Sequence, residues 1–237
     1  MKYLSILLLF VSLSVQAQDS FDEQILAAYI SNDGEAWGEV LEKMAANTNT
    51  QADQLKLGHA AYTAIGTAFS LKDQEMAERY MSMSMLALDK VLEADKKHAS
   101  ANGLMSGVLG MSIALDPSKA MQAGMASSRH AQKALRFGEE DPVALTAAAS
   151  NLIYTPKEWG GDIDKGLELI QKAVSLFEAG DSPEEDWRYY ETLTILGEGL
   201  KTDGQKEAAR AVYLKALALQ PEFSYVKYYL LPQLDQE

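Results

Sequence analysis

Residues that could perform catalysis are present in this sequence, but their types and spacing match no catalytic constellation. His59, His98 and His130 lie 39 and 32 residues apart, without an H-E-x-x-H motif or a pairing with carboxylates that would indicate a zinc site. Ser106 is not embedded in the G-x-S-x-G sequence of a serine nucleophile. We therefore predict a protein that is not an enzyme, with no catalytic residue, no metal site and no cofactor. The histidines are expected to cap helices, face solvent or fill hydrogen-bonded pockets.

Two loop segments carry the residue types that anchor binding interfaces. Trp159 lies in an expected turn, residues 156–162, directly before a helix N-terminus whose free N–H groups attract anions. Trp187 lies in the sequence DWRYY at residues 186–190, where an arginine accompanies three aromatic rings. Both tryptophans are candidate binding residues, but we favour the interpretation that they pack against the ends of neighbouring helices.

Methionine is concentrated in one stretch of the chain. Eight of the ten methionines fall between residues 76 and 125, namely Met76, Met81, Met83, Met85, Met105, Met111, Met121 and Met125. Methionine fills irregular gaps in cores and forms adaptable binding walls, and its thioether also binds Cu(I). We favour core filling, because Met81 and Met85 would share a helix face while Met83 points away. A pliable ligand-binding wall and a copper site are the alternatives.

Composition and charge exclude several classes of protein. The chain has 237 residues, of which 47% are apolar, and it contains no cysteine. A disordered chain, a disulfide scaffold and a thiol-based site are therefore not expected. The 21 Lys and Arg residues stand against 34 Asp and Glu, and the net charge of −13 repels phosphate backbones. We expect no nucleic-acid partner.

The first 17 residues have the pattern of a secretory signal peptide. Lys2 precedes an uncharged apolar run at residues 4–15, and small residues stand at the expected cleavage site before and at Ala17. The run is shorter than the ~20 apolar residues of a membrane span, and no cysteine at the cleavage site could carry a lipid. We predict a periplasmic or secreted protein without stable membrane insertion after cleavage. Loss of Lys2 would leave 20 basic against 34 acidic residues, a net charge of −14.

The rest of the chain, residues 18–237, has helical patterning throughout. No segment alternates apolar and polar residues for long, and about eleven helices are separated by turns that contain Asp, Gly or Pro. No Gly/Ser-rich or Pro-rich linker divides the chain, so one all-α domain is predicted. The uncharged segment 101–115 is predicted to be a buried central helix, whose Gly103, Gly107 and Gly110 allow neighbouring helices to approach closely.

A repeat is visible near the C-terminus. Small and large residues alternate there at a fixed spacing, at Leu196, Gly197, Leu200, Ala209, Tyr213, Ala216 and Pro221. Gly197 and Ala209 are small where two helices are expected to cross, and Tyr213 fills the space beside them. Residues 190–223 resemble a tetratricopeptide repeat, and the upstream sequence resembles divergent copies with insertions at 155–162 and 179–185. The segment 222–234 is a predicted capping helix, with a homo-oligomer contact as the alternative.

The tetratricopeptide resemblance implies a helical-repeat solenoid whose first helix in each pair lines a concave groove. By this analogy the residues facing the groove would be Asn151, Glu191, Thr194, Glu198 and Lys201. The implied function is non-catalytic. The protein would be an adaptor that docks a protein or peptide partner within an envelope complex.

A second resemblance gives an alternative function. Residues 156–166, which include Pro156, Trp159, Asp162 and Lys165, resemble the turn before a helix in the periplasmic T-component proteins of tripartite (TRAP) transporters. This resemblance implies an array that curls around a chamber and handles a small or lipidic ligand. The two functions require different shapes of the protein, since an adaptor needs an open groove and a chamber protein needs an apolar cavity.

Overall fold

The computed structural model describes residues 21–236 of the protein. The predicted signal peptide, residues 1–17, lies outside this range. Between residues 21 and 236 the secondary structure is helical and contains no strand, so the prediction of an all-α fold with about eleven helices is confirmed. None of the helices described has both the length and the apolar character that crossing a membrane requires.

The helices follow one another with short connections. Helix α1 spans residues 21–31. It is followed by α2 (Gly34–Ala46), α3 (Gln51–Ser70), α4 (Gln74–Ala94), α5 (Ala99–Leu115), α6 (Ala120–Phe137), α7 (Pro142–Tyr154), α8 (Ile163–Glu178), α9 (Trp187–Thr202) and α10 (Lys206–Leu219). A closing segment at residues 224–233 contains a π-helical stretch, Val226–Leu230, and the short helix α11, Leu231–Gln233.

Polar caps determine where many of these helices begin. The carboxylates that accept a hydrogen bond from a backbone N–H in the first turn of a helix are Asp33, Asp73, Asp141, Asp162 and Asp186. His98 caps α5 in the same way through Nδ1, and the His130 ring bonds to the side chain of Asn102. Each cap accepts hydrogen bonds from backbone N–H groups that have no partner within the helix, and it contributes about 1 kcal/mol to stability.

Consecutive helices pack as hairpins, and the odd-numbered helices form an inner layer. The hairpins are α3–α4, α5–α6, α7–α8 and α9–α10, while α3, α5, α7 and α9 also contact one another in series. We call α1, α3, α5, α7 and α9 the inner helices. The tetratricopeptide-type solenoid is a finer classification of this arrangement and stays a prediction.

The first inner helix meets the last one. In α1, Asp22 accepts a hydrogen bond from the indole of Trp187 at 3.3 Å, and the hydroxyl of Tyr29 donates to Thr194 at the same distance. Both partners belong to α9, 165 residues away in sequence. The ring of Tyr29 also packs 5.2 Å from that of Phe223, just before the closing segment. The inner helices therefore surround a space.

The predicted close crossing of α9 and α10 is present. A Cβ atom on Gly197 would lie 2.1 Å from Cε1 of the buried Tyr213, so only glycine fits there. The predicted central helix is less uniform. The first half of α5 is buried and Gly107 faces the ring of Tyr62. The second half is partly exposed, and a Cβ atom on Gly110 would have its nearest neighbour from another helix, Oγ of Ser127, at 4.0 Å.

Candidate functional site

The inner helices surround a cavity of about 400 Å³, within the range of about 300–1,000 Å³ that is typical of small-molecule sites. Side chains from all five inner helices and from the closing segment form its wall. The lining residues are Tyr29, Asn32, Tyr62, Thr63, Gly66, Thr67, Phe69, Ser70, Met111, Ser150, Tyr154, Glu191, Thr194, Ile195, Glu198 and Tyr225. We call this space the central cavity. Met111, in the partly exposed second half of α5, is the residue of that helix in the lining.

Five aromatic rings dominate the wall, and four of them carry a hydroxyl group. Tyr29 bonds to Thr194, Tyr62 to Ser150, and Tyr154 donates to Oε2 of Glu198 at 2.7 Å. Tyr62 is buried, whereas Tyr154 is 52% exposed. The wall of the cavity thus combines aromatic rings with polar groups at fixed positions.

The tyrosine hydroxyls remain protonated at neutral pH. Burial, together with the negative charge of Glu191, raises the pKa of Tyr29 and Tyr62 well above the usual value. Burial and the charge of Glu198 raise the pKa of Tyr225 to about 12. Desolvation and the same carboxylate raise the pKa of Tyr154 well above its ordinary value. These side chains therefore act as neutral hydrogen-bonding groups.

A buried carboxylate, Glu191, lies in the wall between α9 and α3. It is 6% exposed, its Oε1 accepts from the hydroxyl of Thr63 at 2.8 Å, and its Oε2 lies 2.8 Å from Nε2 of His59. The imidazole is fixed from its other side by Trp187, whose ring centroid is 4.5 Å away in an edge-to-face arrangement. Glu191 therefore joins α9 to α3 through side-chain hydrogen bonds at the wall of the cavity.

This network is not arranged as a catalytic triad. In a triad the imidazole stands between the hydroxyl and the carboxylate, so that it can take the hydroxyl proton. Here the carboxylate of Glu191 stands in the middle, and Thr63 donates to it directly. The imidazole therefore does not contact the hydroxyl, and the three side chains lack the order of a triad.

A second carboxylate, Glu198, lies two turns further along α9. Desolvation raises the pKa of Glu198, while the hydrogen bond from Tyr154 and the positive charge of Lys201 act in the opposite direction. Lys201 donates from Nζ to the side chain of Gln233 at 2.9 Å, and it does not line the cavity. Of these two side chains, the cavity lining therefore includes only that of Glu198.

The structure brings only some of the sequence-predicted binding residues together. Glu191, Thr194 and Glu198 line the central cavity, and their positions follow the predicted inward face of α9. Asn151 instead donates to Oγ of Ser127 at 2.7 Å and ties α7 to α6.

The two predicted tryptophans lie elsewhere. Trp187 is 2% exposed and packs in the core against His59. Trp159 is 73% exposed in a 3₁₀ turn, Lys157–Trp159, and does not line the cavity. Gly160 after it has a positive φ of 95°, which lets this loop turn back towards α8.

Sequence reasoning missed most of the aromatic wall. Tyr29, Tyr62, Phe69 and Tyr154 occupy positions where an amphipathic helix carries core residues, so no local signal separates them from ordinary core aromatics. Tyr225 was assigned to the capping helix. Of the methionines, Met111 lines the cavity, whereas Met121 and Met125 are exposed on α6. Among the residues described, no cluster of three or more His, Asp or Glu side chains could hold a metal ion.

The chain matches no family model, and no curated protein matches it. A similar solved structure is the HusA haemophore from Porphyromonas gingivalis, with a TM-score of 0.57 and 19% sequence identity. The match covers 79% of this chain and 93% of that chain. At this level of identity the similarity shows a shared fold and nothing beyond it.

Proposed function

We propose that this protein is an exported binding protein without catalytic activity, which holds a small ligand in the central cavity. The observation that carries the proposal is the cavity itself. It has five aromatic rings in its wall and a few hydroxyl and carboxylate groups at fixed positions. An apolar cavity with a few convergent polar groups is the usual form of a small-molecule site. The order of Thr63, Glu191 and His59 differs from that of a catalytic triad, because the carboxylate and not the imidazole contacts the hydroxyl.

Among the two functions expected from sequence, the cavity favours the chamber over the open groove. The contacts of α1 with α9 close the inner layer, which a protein or peptide docked along a groove would not require. The similar fold belongs to a haemophore, so haem is the first ligand to test. A tetrapyrrole could stack on the tyrosine rings, and Tyr and Met side chains of the wall are among the residue types that ligate haem iron. The TRAP T-component resemblance concerns the loop of Trp159 and stays a prediction.

Gly66 provides a direct test of ligand binding in the cavity. It lines the cavity on α3, and a Cβ atom there would meet nothing within 4 Å. A Gly66→Phe substitution should therefore place a ring in the cavity without disturbing the fold. Gly124 on α6 is the matched control, because a Cβ atom there also meets nothing within 4 Å and Gly124 does not line the cavity.

The measurement is titration of the three proteins with haemin and with a neutral fluorescent probe, N-phenylnaphthylamine. We expect wild type and Gly124→Phe to bind at least one of the probes equally well. Gly66→Phe should lose at least ~10-fold in affinity for it, since its ring takes the ligand's place. Equal binding by all three proteins would place the ligand elsewhere and contradict the proposal, and so would no binding of either probe by wild type.

A second candidate function is the docking of a protein partner outside the cavity. The observation that favours it is Trp159, a large aromatic side chain that is 73% exposed in a loop. A partner captured from the periplasm by wild type should then be lost in Trp159→Ala and retained in Gly66→Phe. The opposite pattern would assign the interaction to the cavity.

A further inference from the structure

We propose that the central cavity selects a ligand whose inserted end carries a positive charge, an organic cation such as a quaternary or protonated amine or a cationic aromatic ring. The inference rests on the proposed function and names the chemical class of its ligand. Two independent features of the wall support it. One is the negative charge of the ionisable groups in the lining, and the other is the number of aromatic rings in the same lining.

The charged groups that face the cavity are all acidic. Within residues 21–236, the lining includes Glu191 and Glu198 and no Lys, Arg or His. The basic groups nearest to these carboxylates, His59 and Lys201, do not line the cavity. His59 bonds to Glu191 within the α3–α9 interface, and Lys201 bonds to Gln233. Of the charged side chains in this part of the structure, a ligand in the cavity therefore meets Glu191 and Glu198.

The neutral polar groups that face the cavity are mostly hydroxyls. Thr63 and Tyr154 already donate their protons to the two carboxylates, and Tyr29 donates to Thr194. The oxygen atoms that remain can accept hydrogen bonds from an ammonium group. An inserted anion would find two carboxylates and no positively charged partner on the cavity surface, so its desolvation would not be compensated.

The aromatic rings supply the second feature. Tyr29, Tyr62, Phe69, Tyr154 and Tyr225 lie around the same space as the two carboxylates. Ring faces carry partial negative charge, and a cation within about 6 Å of a ring centroid is attracted to it. Carboxylates and several tyrosine faces around one cavity form the arrangement that recognises organic cations. The overall charge of −13 also attracts cations to the protein surface.

Three fluorescent probes of similar size separate the alternatives. Berberine is a flat quaternary cation, N-phenylnaphthylamine is neutral, and anilinonaphthalene sulfonate is the neutral probe with an added sulfonate. We expect wild type to bind berberine most tightly and the sulfonate at least ~10-fold more weakly than the neutral probe. All binding should be lost in Gly66→Phe and kept in Gly124→Phe.

Carboxylate variants then locate the source of the preference. Glu198→Gln keeps a hydrogen-bond acceptor for Tyr154 but removes the charge, so berberine affinity should fall about 5- to 30-fold while affinity for the neutral probe is unchanged. Glu140→Gln is the control, because Glu140 is an exposed partner of Lys172 outside the cavity. Berberine affinity should be unaffected by this change.

The outcomes distinguish the inference from the function on which it rests. If the neutral probe binds in a Gly66-dependent way but the sulfonate binds as well or better, the cavity binds ligands and the inference of cation selectivity is wrong. The same holds if Glu198→Gln leaves berberine affinity unchanged. If none of these probes and no haemin binds, the proposed function fails together with the inference.

Discussion

Replacing His59 by leucine should destabilise the protein strongly, because the substitution leaves the carboxylate of Glu191 in the α3–α9 interface without its imidazole partner. Glu191 is 6% exposed and has two side-chain partners, Nε2 of His59 and the hydroxyl of Thr63, each at 2.8 Å. After the substitution only the threonine bond remains. Leucine has a volume that suits the site, so the lost interaction, rather than a cavity, is what the experiment measures.

The magnitude follows from the burial of the pair. Removing a hydrogen-bond partner of a buried carboxylate costs about 1.5–3 kcal/mol, since the carboxylate oxygen is left unsatisfied. The Thr63 bond and the access of Glu191 to the cavity favour the lower end of this range. Loss of the edge-to-face contact between His59 and Trp187 adds about 0.5–1.5 kcal/mol. We therefore expect a loss of roughly 2–4 kcal/mol, or a fall in Tm of roughly 4–16 °C for a chain of this length.

Urea unfolding at pH 7 measures the effect, and a double variant provides the control. In His59→Leu combined with Glu191→Leu, both members of the pair are replaced by apolar side chains. Replacement of a whole buried pair is often neutral or stabilising, so the double variant should recover most of the lost free energy of unfolding. A loss below ~1 kcal/mol in the single variant, or a double variant as unstable as the single one, would refute this reasoning.

Three further predictions test the packing and the charge of the site. Gly66→Ala should raise the free energy of unfolding by about 0.5–1 kcal/mol, because alanine favours the helix and nothing lies within 4 Å of its Cβ. Thermal or urea unfolding measures this change, and a loss of stability would show that the space is occupied. Gly197→Ala should lower the free energy of unfolding by about 1–3 kcal/mol, since its Cβ would lie 2.1 Å from the buried ring of Tyr213. An unchanged free energy of unfolding would contradict the close crossing of α9 and α10. The pKa of Glu198 is raised above its unfolded value of 4.5, so the folded state holds this proton more tightly than the unfolded state. The contribution of Glu198 to the free energy of unfolding should therefore fall as the pH rises from 4.5 through the raised pKa. Urea unfolding at several pH values in this interval should show that the free energy of unfolding falls less with pH in Glu198→Gln than in wild type.

The all-α fold and the α9–α10 hairpin could be predicted from sequence because their determinants are local. Helical periodicity and acidic caps such as Asp141 before Pro142 define the helices. The small Gly197 and the large Tyr213 belong to neighbouring helices, so their spacing alone predicts that they meet. The inward positions of Glu191 and Glu198 followed from the same repeat, because the first helix of such a pair faces the inside of the array.

The cavity could not be predicted, because it depends on contacts between distant parts of the chain. The bond between Tyr29 and Thr194 joins residues 165 apart, and no local pattern determines whether an array of helical hairpins closes or stays open. Trp187 shows the same dependence on distant contacts. Packing against neighbouring helices is the favoured interpretation of its sequence context, but the partners that bury it, His59 on α3 and Asp22 on α1, are known only from the structure.

Native mass spectrometry of the protein, purified gently from its own cell envelope, tests the central claim most directly. Wild type and Gly124→Phe should each carry a small nonprotein mass that is absent from Gly66→Phe, because only the last substitution fills the central cavity. A wild-type protein that carries no such mass, and that instead retains a polypeptide at fixed stoichiometry in all three forms, would contradict ligand binding in the cavity and support docking of a protein partner on the outer surface.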